Sequence, residues 1–331
     1  MALAILTALK AAQLKHAAFL LGLPSVGTKS ELVTVLVRQA DSSQAHPEDC
    51  RRILSVDMGI RNLAYCVVNA IPASSNRRND RLSTNLHISA WSKTDLLEVS
   101  PGMKASANSK DDPDPDQKVV KKKSNNDAFT PSQMSKTAYQ ITQKLLDHKP
   151  DSILIERQRF RSGGGSAIQE WTVRVNMLES MLWACLQTLQ EQKSSSGFPT
   201  MHEVNPARVA NFWVPIAPVP LRPSHTLFDA TPSKVTADNA GSSRKKVQKK
   251  DKINVVRSWL EGSGDVKLTF EGEAAAMADH FRSTKGRGSA KSTDIGKLDD
   301  LADCLLQAAA WARWEENRRA FVELLAKHAV G

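Results

Sequence analysis

The sequence contains no apolar run that approaches the roughly 18 residues needed to cross a membrane. Its mean hydropathy of -0.36 agrees with this, so we exclude a transmembrane protein. Cysteine is also scarce: the four cysteines are widely separated and form no Cys-x-x-Cys pair. A zinc knuckle and a disulfide framework are therefore not indicated, and a reducing compartment is the simplest interpretation.

Acidic residues are outnumbered by basic ones. The chain has 45 Lys and Arg against 35 Asp and Glu, a formal net charge of +10. A surplus of this size favours a polyanionic partner such as nucleic acid, although it says nothing about the fold. The length of 331 residues, 41% of them hydrophobic, suffices for one large domain and a small one.

The first 45 residues are predicted to form a separate helical unit. Apolar residues recur at helical spacing from Leu6 to Leu21, and Thr28 with Glu31 forms the pattern of a capping box that starts a second helix. This pair of short helices resembles the SAP helix-turn-helix, a DNA-binding module. Two alternatives stay open: a helical hairpin docked on the main domain, and a presequence, because the first 30 residues carry no acid.

Residues 46–331 are predicted to form one α/β domain. Apolar segments predict five strands, at 53–57, 63–68, 86–91, 152–156 and 201–204. Helical periodicity predicts helices at 132–147, 168–192, 206–213, 251–260 and 297–326. Two stretches with little to bury predict disordered insertions near 100–128 and 218–250. This order predicts the ribonuclease H-like fold, a mixed sheet with helices on both faces.

Acidic residues mark the ends of two predicted strands and the start of the last helix. Asp57 and Glu156 each end an apolar strand, where a carboxylate is costly unless something compensates its charge. Asp299, Asp300 and Asp303 follow on the helix, where residues three or four apart share a face. Carboxylate oxygens are the ligands that Mg²⁺ and Mn²⁺ prefer. Two such ions can activate water and stabilise the leaving oxygen of a phosphodiester, so we predict a two-ion site.

Five segments resemble one known family, the fungal mitochondrial Holliday-junction resolvases, which are distant relatives of bacterial RuvC. These segments are ILSVDMGIRNLAYCVV (53–68), ILIERQRFRSG (153–163), VNMLESMLWA (175–184), VNPARVANFW (204–213) and KLDDLADCLLQAAAW (297–311). The resemblance covers nearly the whole chain apart from the two insertions. It implies a homodimeric, Mg²⁺- or Mn²⁺-dependent mitochondrial endonuclease that resolves four-way DNA junctions by paired symmetric cuts.

The resemblance also implies which acids act. Asp57 and Glu156 match the family motifs, and two of Asp299, Asp300 and Asp303 complete the set. The D-x-x-D pattern of RuvC selects Asp300 with Asp303, whereas an i, i+4 pattern selects Asp299 with Asp303. We take Asp300 and Asp303 as the metal ligands and keep Asp299 among the catalytic candidates.

Basic and aromatic residues near these acids are candidates for contacts with DNA. Lys297 lies one turn before the acids and is expected to neutralise charge on the phosphorane. The predicted DNA-binding residues are Arg157, Gln158, Arg159, Phe160, Arg161, Lys245 and Lys246. A solvated loop is the alternative interpretation. One set of acids per chain and the twofold symmetry of a junction predict a homodimer, with helix 168–192 as the candidate interface.

Two other classes of protein compete with this interpretation. An ATPase of the actin and sugar-kinase superfamily also has Asp-x-Gly after its first strand, but its second Asp-Gly phosphate loop and glycine-rich adenosine motif are absent from the sequence. A non-catalytic DNA-binding protein on the same fold is the second. It leaves the grouping of acids unexplained.

Overall fold

The computed structural model describes residues 2–42, 52–71, 84–96, 129–158, 169–192, 197–215, 221–224, 227, 247–284 and 293–330. The predicted insertion at 100–128, and most of the one at 218–250, lie outside these ranges. Arg159, Phe160, Arg161, Lys245 and Lys246 lie outside them too. Among the helices within these ranges, none combines the length and hydrophobicity that crossing a membrane requires.

Six strands form one mixed sheet in the order β5-β4-β1-β2-β3-β6. The strands are Arg52–Asp57 (β1), Leu63–Ile71 (β2), Thr84–Thr94 (β3), Ser152–Glu156 (β4), Thr200–Val204 (β5) and Val266–Phe270 (β6). Strands β1, β2 and β3 pair antiparallel, β4 and β5 continue parallel to β1, and β6 pairs parallel with β3. The predicted α/β fold with a mixed sheet is confirmed.

The turn between β1 and β2 depends on a glycine. A Cβ atom at Gly59 would lie 2.9 Å from the carbonyl oxygen of Asn62, closer than such contacts occur. Glycine, which has no Cβ atom, therefore suits this position two residues after Asp57, and the chain reverses at once. The reversal pairs Asp57 with Ala64 in the predicted hairpin.

Helices cover both faces of the sheet. In chain order they are Ala2–Ala8 (α1), Ala11–Leu20 (α2), Lys29–Ser42 (α3), Pro131–Leu146 (α4), Glu170–Gln192 (α5), Pro206–Trp213 (α6), Lys249–Leu260 (α7), Gly272–Ser283 (α8) and Thr293–Val330 (α9). One apolar core joins the sheet to α6, α7, α8 and α9, and a second joins its other face to α4 and α5. Alternation along β1 separates the two cores: Ile53 belongs to the first, whereas Leu54 and Val56 belong to the second.

The N-terminal region has three helices, where the sequence predicted two. The predicted first helix breaks at Lys10, which is extended and whose backbone N–H donates to the side chain of Gln13. All three helices share an apolar core with Phe321 and Leu325 near the end of α9. They are therefore docked on the main domain, as one of the sequence alternatives expects, while the role in DNA binding stays a prediction.

The chain between α7 and α9 contains two elements that the sequence analysis did not predict, β6 and α8. The segment Val266–Phe270 does alternate between more and less buried residues, the pattern typical of a strand. It is short and lies at the edge of the sheet, which weakens that signal. The last helix is also longer than predicted, extending from Thr293 to Val330 rather than over 297–326.

Candidate metal centre and active site

Three carboxylates from three separate elements converge at the carboxyl ends of β1 and β4. Asp57 ends β1, Glu156 ends β4 and Asp303 lies on α9, and one carboxylate oxygen of each lies within 4.8 Å of the others. The convergence follows from the pairing of the strands. Strands β1 and β4 are parallel neighbours, with Val56 opposite Ile155, so Asp57 and Glu156 lie side by side at the ends of the two strands.

Gln307 ties α9 to both of these strands directly below the acids. It lies one turn after Asp303 and is almost fully buried. Its side-chain amide donates to the hydroxyl of Ser55 at 3.0 Å, and it lies 3.3 Å from the carbonyl oxygens of both Val56 and Leu154. These contacts set the distance between α9 and the ends of β1 and β4, and therefore between Asp303 and the other two acids.

Burial and mutual repulsion raise the pKa values of the three convergent acids. Burial, followed by the charges of Glu156 and Asp303, raises the pKa of Asp57 well above its usual range. Burial and the charge of Asp303 raise the pKa of Glu156 to about 7. Burial also raises the pKa of Asp303 to about 6, although Lys252 opposes the rise. The ionised cluster is therefore unfavourable until a cation compensates it.

Within the described ranges, three lysines from outside α9 form ion pairs with Asp299, Asp300 and Asp303. Lys93 of β3 binds Asp300 at 2.6 Å. Lys249 binds Asp299 at 2.7 Å, and Lys252 pairs with both Asp299, at 3.2 Å, and Asp303. Burial acts to lower the pKa of Lys252, but the charges of Asp303 and Asp299 outweigh it and raise that pKa.

The sequence analysis missed Lys93 and Lys252 and selected Lys297 instead. A usable signal existed for Lys93, because the sheet register puts Asp57, Ala64 and Lys93 in one row across three strands. The predicted third strand ended at residue 91 and so omitted it. Lys252 offered no such signal, since α7 meets α9 through tertiary packing alone. For Lys297 the structure describes the helical backbone but not the side chain.

The remaining candidates in the described part of the chain lie around the three convergent acids. Asp299 is buried, and its charge helps to raise the pKa of Glu156. The charge of Asp300 acts on Asp57 in the same way. Arg157 is exposed and binds Glu203 at 2.8 Å.

Gln158 is the second residue after the end of β4 and is fixed through its backbone. Its N–H donates to the side chain of Glu179 on α5 at 3.3 Å. Residues 157 and 158 therefore leave the acid cluster in a defined direction, towards the N-terminal half of α5. Glu179 is a further residue that the sequence analysis did not select.

The acids suit a divalent cation by their chemistry. The donor set consists of carboxylate oxygens, which Mg²⁺ and Mn²⁺ prefer. Across the described ranges, no lysine or arginine forms an ion pair with Asp57 or Glu156. One oxygen of Asp299, Oδ1, is buried and accepts no hydrogen bond of good geometry from the described residues, although Lys252 lies 3.2 Å away. Carboxylates without a basic partner, as Asp57 and Glu156 are within these ranges, are what an oxygen-ligated cation would compensate.

The family described as "Mitochondrial resolvase Ydc2 / RNA splicing MRS1" matches residues 53–321. The chain belongs to this family. Two relatives in this resolvase family carry the name "Cruciform cutting endonuclease 1, mitochondrial". The one from Schizosaccharomyces pombe is 29% identical, and the alignment covers 93% of both chains. The one from Saccharomyces cerevisiae is 26% identical over 96% of this chain and 85% of its own.

A solved structure supports the same assignment. The crystal structure of the yeast mitochondrial Holliday junction resolvase Ydc2 superimposes with a TM-score of 0.58 and 25% identity, covering 96% of this chain and 99% of that one. The expected resemblance to fungal mitochondrial resolvases is confirmed, and with it the mitochondrial location. The family match begins at residue 53, after α1–α3.

Proposed function

We propose that this protein is an endonuclease that resolves four-way DNA junctions by metal-dependent hydrolysis of phosphodiester bonds. The convergence of Asp57, Glu156 and Asp303 in a member of the resolvase family carries the proposal. The relatives are named for cutting cruciforms, and the net charge of +10 suits a DNA partner.

The ligands of the metal site are Asp57, Glu156, Asp303 and, in our proposal, Asp299. Sequence alone favoured Asp300 as the fourth ligand. Both acids pair with lysines, but the side chain of Asp299 is 7% exposed and shares Lys252 with Asp303, whereas that of Asp300 is 22% exposed and pairs with Lys93 instead, which supports Asp299. Mg²⁺ or Mn²⁺ bound there, as two ions, supplies positive charge that promotes attack by water and stabilises the departing oxygen.

The other residues hold the DNA in place around this centre. Arg157 lies on the surface directly after Glu156, where its guanidinium suits a phosphate next to the scissile one. Gln158 is expected to lie against bases at the centre of the junction. Arg159, Phe160, Arg161, Lys245, Lys246 and Lys297 remain candidates for the same task.

A homodimer supplies the second active site that paired symmetric cuts require. Helix α5 remains the candidate interface. Leu178 and Leu182 are buried against the sheet, while Met177, Met181 and Trp183 on the same helix are only half-buried. The half-buried apolar side chains give α5 surface that a second copy would cover.

Helices α1–α3 form the proposed SAP-like contact with DNA. Since they share a core with α9, deleting residues 1–42 would expose Phe321 and Leu325 and confound binding with folding. Charge reversal avoids this problem. Lys29→Glu, at the exposed start of α3, should weaken junction binding without loss of thermal stability. Unchanged junction binding would mean that the three helices have only a structural role.

The decisive experiment is a nicking assay on a four-way DNA junction with Mg²⁺, with Ca²⁺ and with EDTA. We expect paired cuts with Mg²⁺, binding without cutting with Ca²⁺, and no cutting in EDTA. Asp57→Asn and Glu156→Gln keep the shape of the side chains, remove ligand charge, and should abolish cutting while junction binding persists. Equal cutting in EDTA would refute the proposal. A residual rate above about one tenth, a loss of under about 1.4 kcal/mol of transition-state stabilisation, would remove that residue from the site.

A further inference from the structure

Lys252 lies between the two acids of α9 that we assign to the metal site. Its ammonium group pairs with Asp303 and, at 3.2 Å, with Asp299. The side chain is only 17% exposed. Within the described part of the chain, Lys252 is the one lysine that contacts a member of the Asp57, Glu156 and Asp303 cluster.

The two neighbouring lysines are placed differently. Lys249 reaches Asp299 from the surface, with its side chain 64% exposed, and solvent screens such a pair. Lys93 pairs with Asp300, which is outside the proposed ligand set. Lys252 is therefore the one of these three lysines whose largely buried ammonium pairs with two of the proposed ligands, Asp303 and Asp299.

An ammonium and a divalent ion cannot both sit close to the same carboxylates without repelling each other. Binding of the ion therefore weakens the hold of Asp303 and Asp299 on Lys252. A buried ammonium that loses its carboxylates is costly unless another anion replaces them. The flexible stem of lysine lets the group move, and a DNA strand brings phosphate to this place.

We propose that Lys252 is a tethered counter-cation that competes with the divalent ion for Asp303 and Asp299, and that its ammonium transfers to a DNA phosphate when the ion binds. This inference rests on the proposed function. It assigns Lys252 two linked effects: it weakens metal binding in the DNA-free protein, and it adds one phosphate contact in the metal-loaded complex.

The test compares Lys252→Met with Lys250→Met in the full chain. Lys250 is exposed on the same helix, so its variant removes an equal charge. By calorimetric titration without DNA, Lys252→Met should bind Mn²⁺ about tenfold more tightly, while Lys250→Met should stay within about twofold of the unaltered protein. Lys252→Gln provides a polar second variant and should show the same gain.

The second measurement is the salt dependence of junction binding. With Ca²⁺ present, the slope of log K against log salt should be smaller by about 0.9 in Lys252→Met than in the unaltered protein, the value for one lost phosphate contact. In EDTA the two slopes should agree, because Lys252 is then held by the acids.

Mn²⁺ binding that is unchanged or weaker in Lys252→Met and Lys252→Gln would overturn the proposed competition. A slope that is equally reduced in EDTA and Ca²⁺, or unchanged in both, would overturn the transfer to phosphate. The proposed function fails in a different way: the unaltered protein would then bind no Mn²⁺ or leave junctions uncut. Tighter Mn²⁺ binding by Lys252→Met can thus be separated from loss of the nuclease activity itself.

Discussion

Mg²⁺ should stabilise the protein against unfolding far more at about pH 8 than at about pH 5.5, because the ligands must lose their protons to bind it. Burial and the charge of Asp303 raise the pKa of Glu156 to about 7. Burial likewise raises the pKa of Asp303 to about 6. At the lower pH, both acids are mostly protonated in the metal-free protein.

The sign of the effect follows from where the protons are held. These acids titrate at about pH 4 in the unfolded chain and at higher pH in the folded protein. At pH values between the two, the folded protein holds more protons than the unfolded chain. The contribution of Glu156 and Asp303 to the stability of the metal-free protein therefore falls as the pH rises from about 4 to about 7. For Glu156, the rise in pKa from 4.5 to about 7 corresponds to a loss of about 3 kcal/mol.

Metal binding reverses this loss where the acids are ionised. Glu156 is about 3% ionised at about pH 5.5 and about 90% ionised at about pH 8, so its titration alone raises the Mg²⁺ affinity about thirtyfold. That factor corresponds to about 2 kcal/mol of additional stabilisation by Mg²⁺.

Thermal unfolding with and without Mg²⁺ at the two pH values measures this difference. The control is Glu156→Gln, which lacks the titrating group and should show a smaller Mg²⁺ effect at the higher pH. An equal Mg²⁺-induced change in Tm at both pH values in the unaltered protein would refute the reasoning.

Three further outcomes are expected. Asp299→Asn should weaken Mn²⁺ binding about tenfold, with Asp300→Asn within about twofold of the unaltered protein; the reverse ranking in a binding titration would restore Asp300 to the ligand set. Gln307→Leu removes the amide that donates to Ser55 and contacts the carbonyl oxygens of Val56 and Leu154, so it should lower the free energy of unfolding by about 1–3 kcal/mol and weaken Mn²⁺ binding. Denaturant unfolding and titration check both effects, and unchanged Mn²⁺ affinity would limit Gln307 to a structural role. Met181→Glu should produce a monomer that nicks one strand. If sedimentation shows a monomer that still makes paired symmetric cuts, the dimer is not part of the mechanism.

The strands that carry Asp57 and Glu156 are predictable from local sequence patterns. Apolar runs that end in a carboxylate, at Asp57 and at Glu156, predict their own position, because both the run and its end are local features. The grouping of Asp299, Asp300 and Asp303 near the start of α9 is equally local, since helical spacing relates them directly. The order of strands and helices predicted the fold, and the family motifs predicted the function.

Which charged side chains form ion pairs depends instead on long-range packing. Lys93 is separated from Asp300 by 207 residues, and Lys252 from Asp303 by 51, so their contacts depend on how β3 and α7 pack against α9. In the sequence, Gln307 is one polar residue in an apolar stretch of helix. Packing brings its side chain against the carbonyl oxygens of two strands. Such long-range contacts follow from the packing of whole helices and strands, and a local pattern does not encode them. The positions of the acids follow from local sequence patterns, whereas the lysines and the glutamine that affect their charge and spacing reach them only through packing.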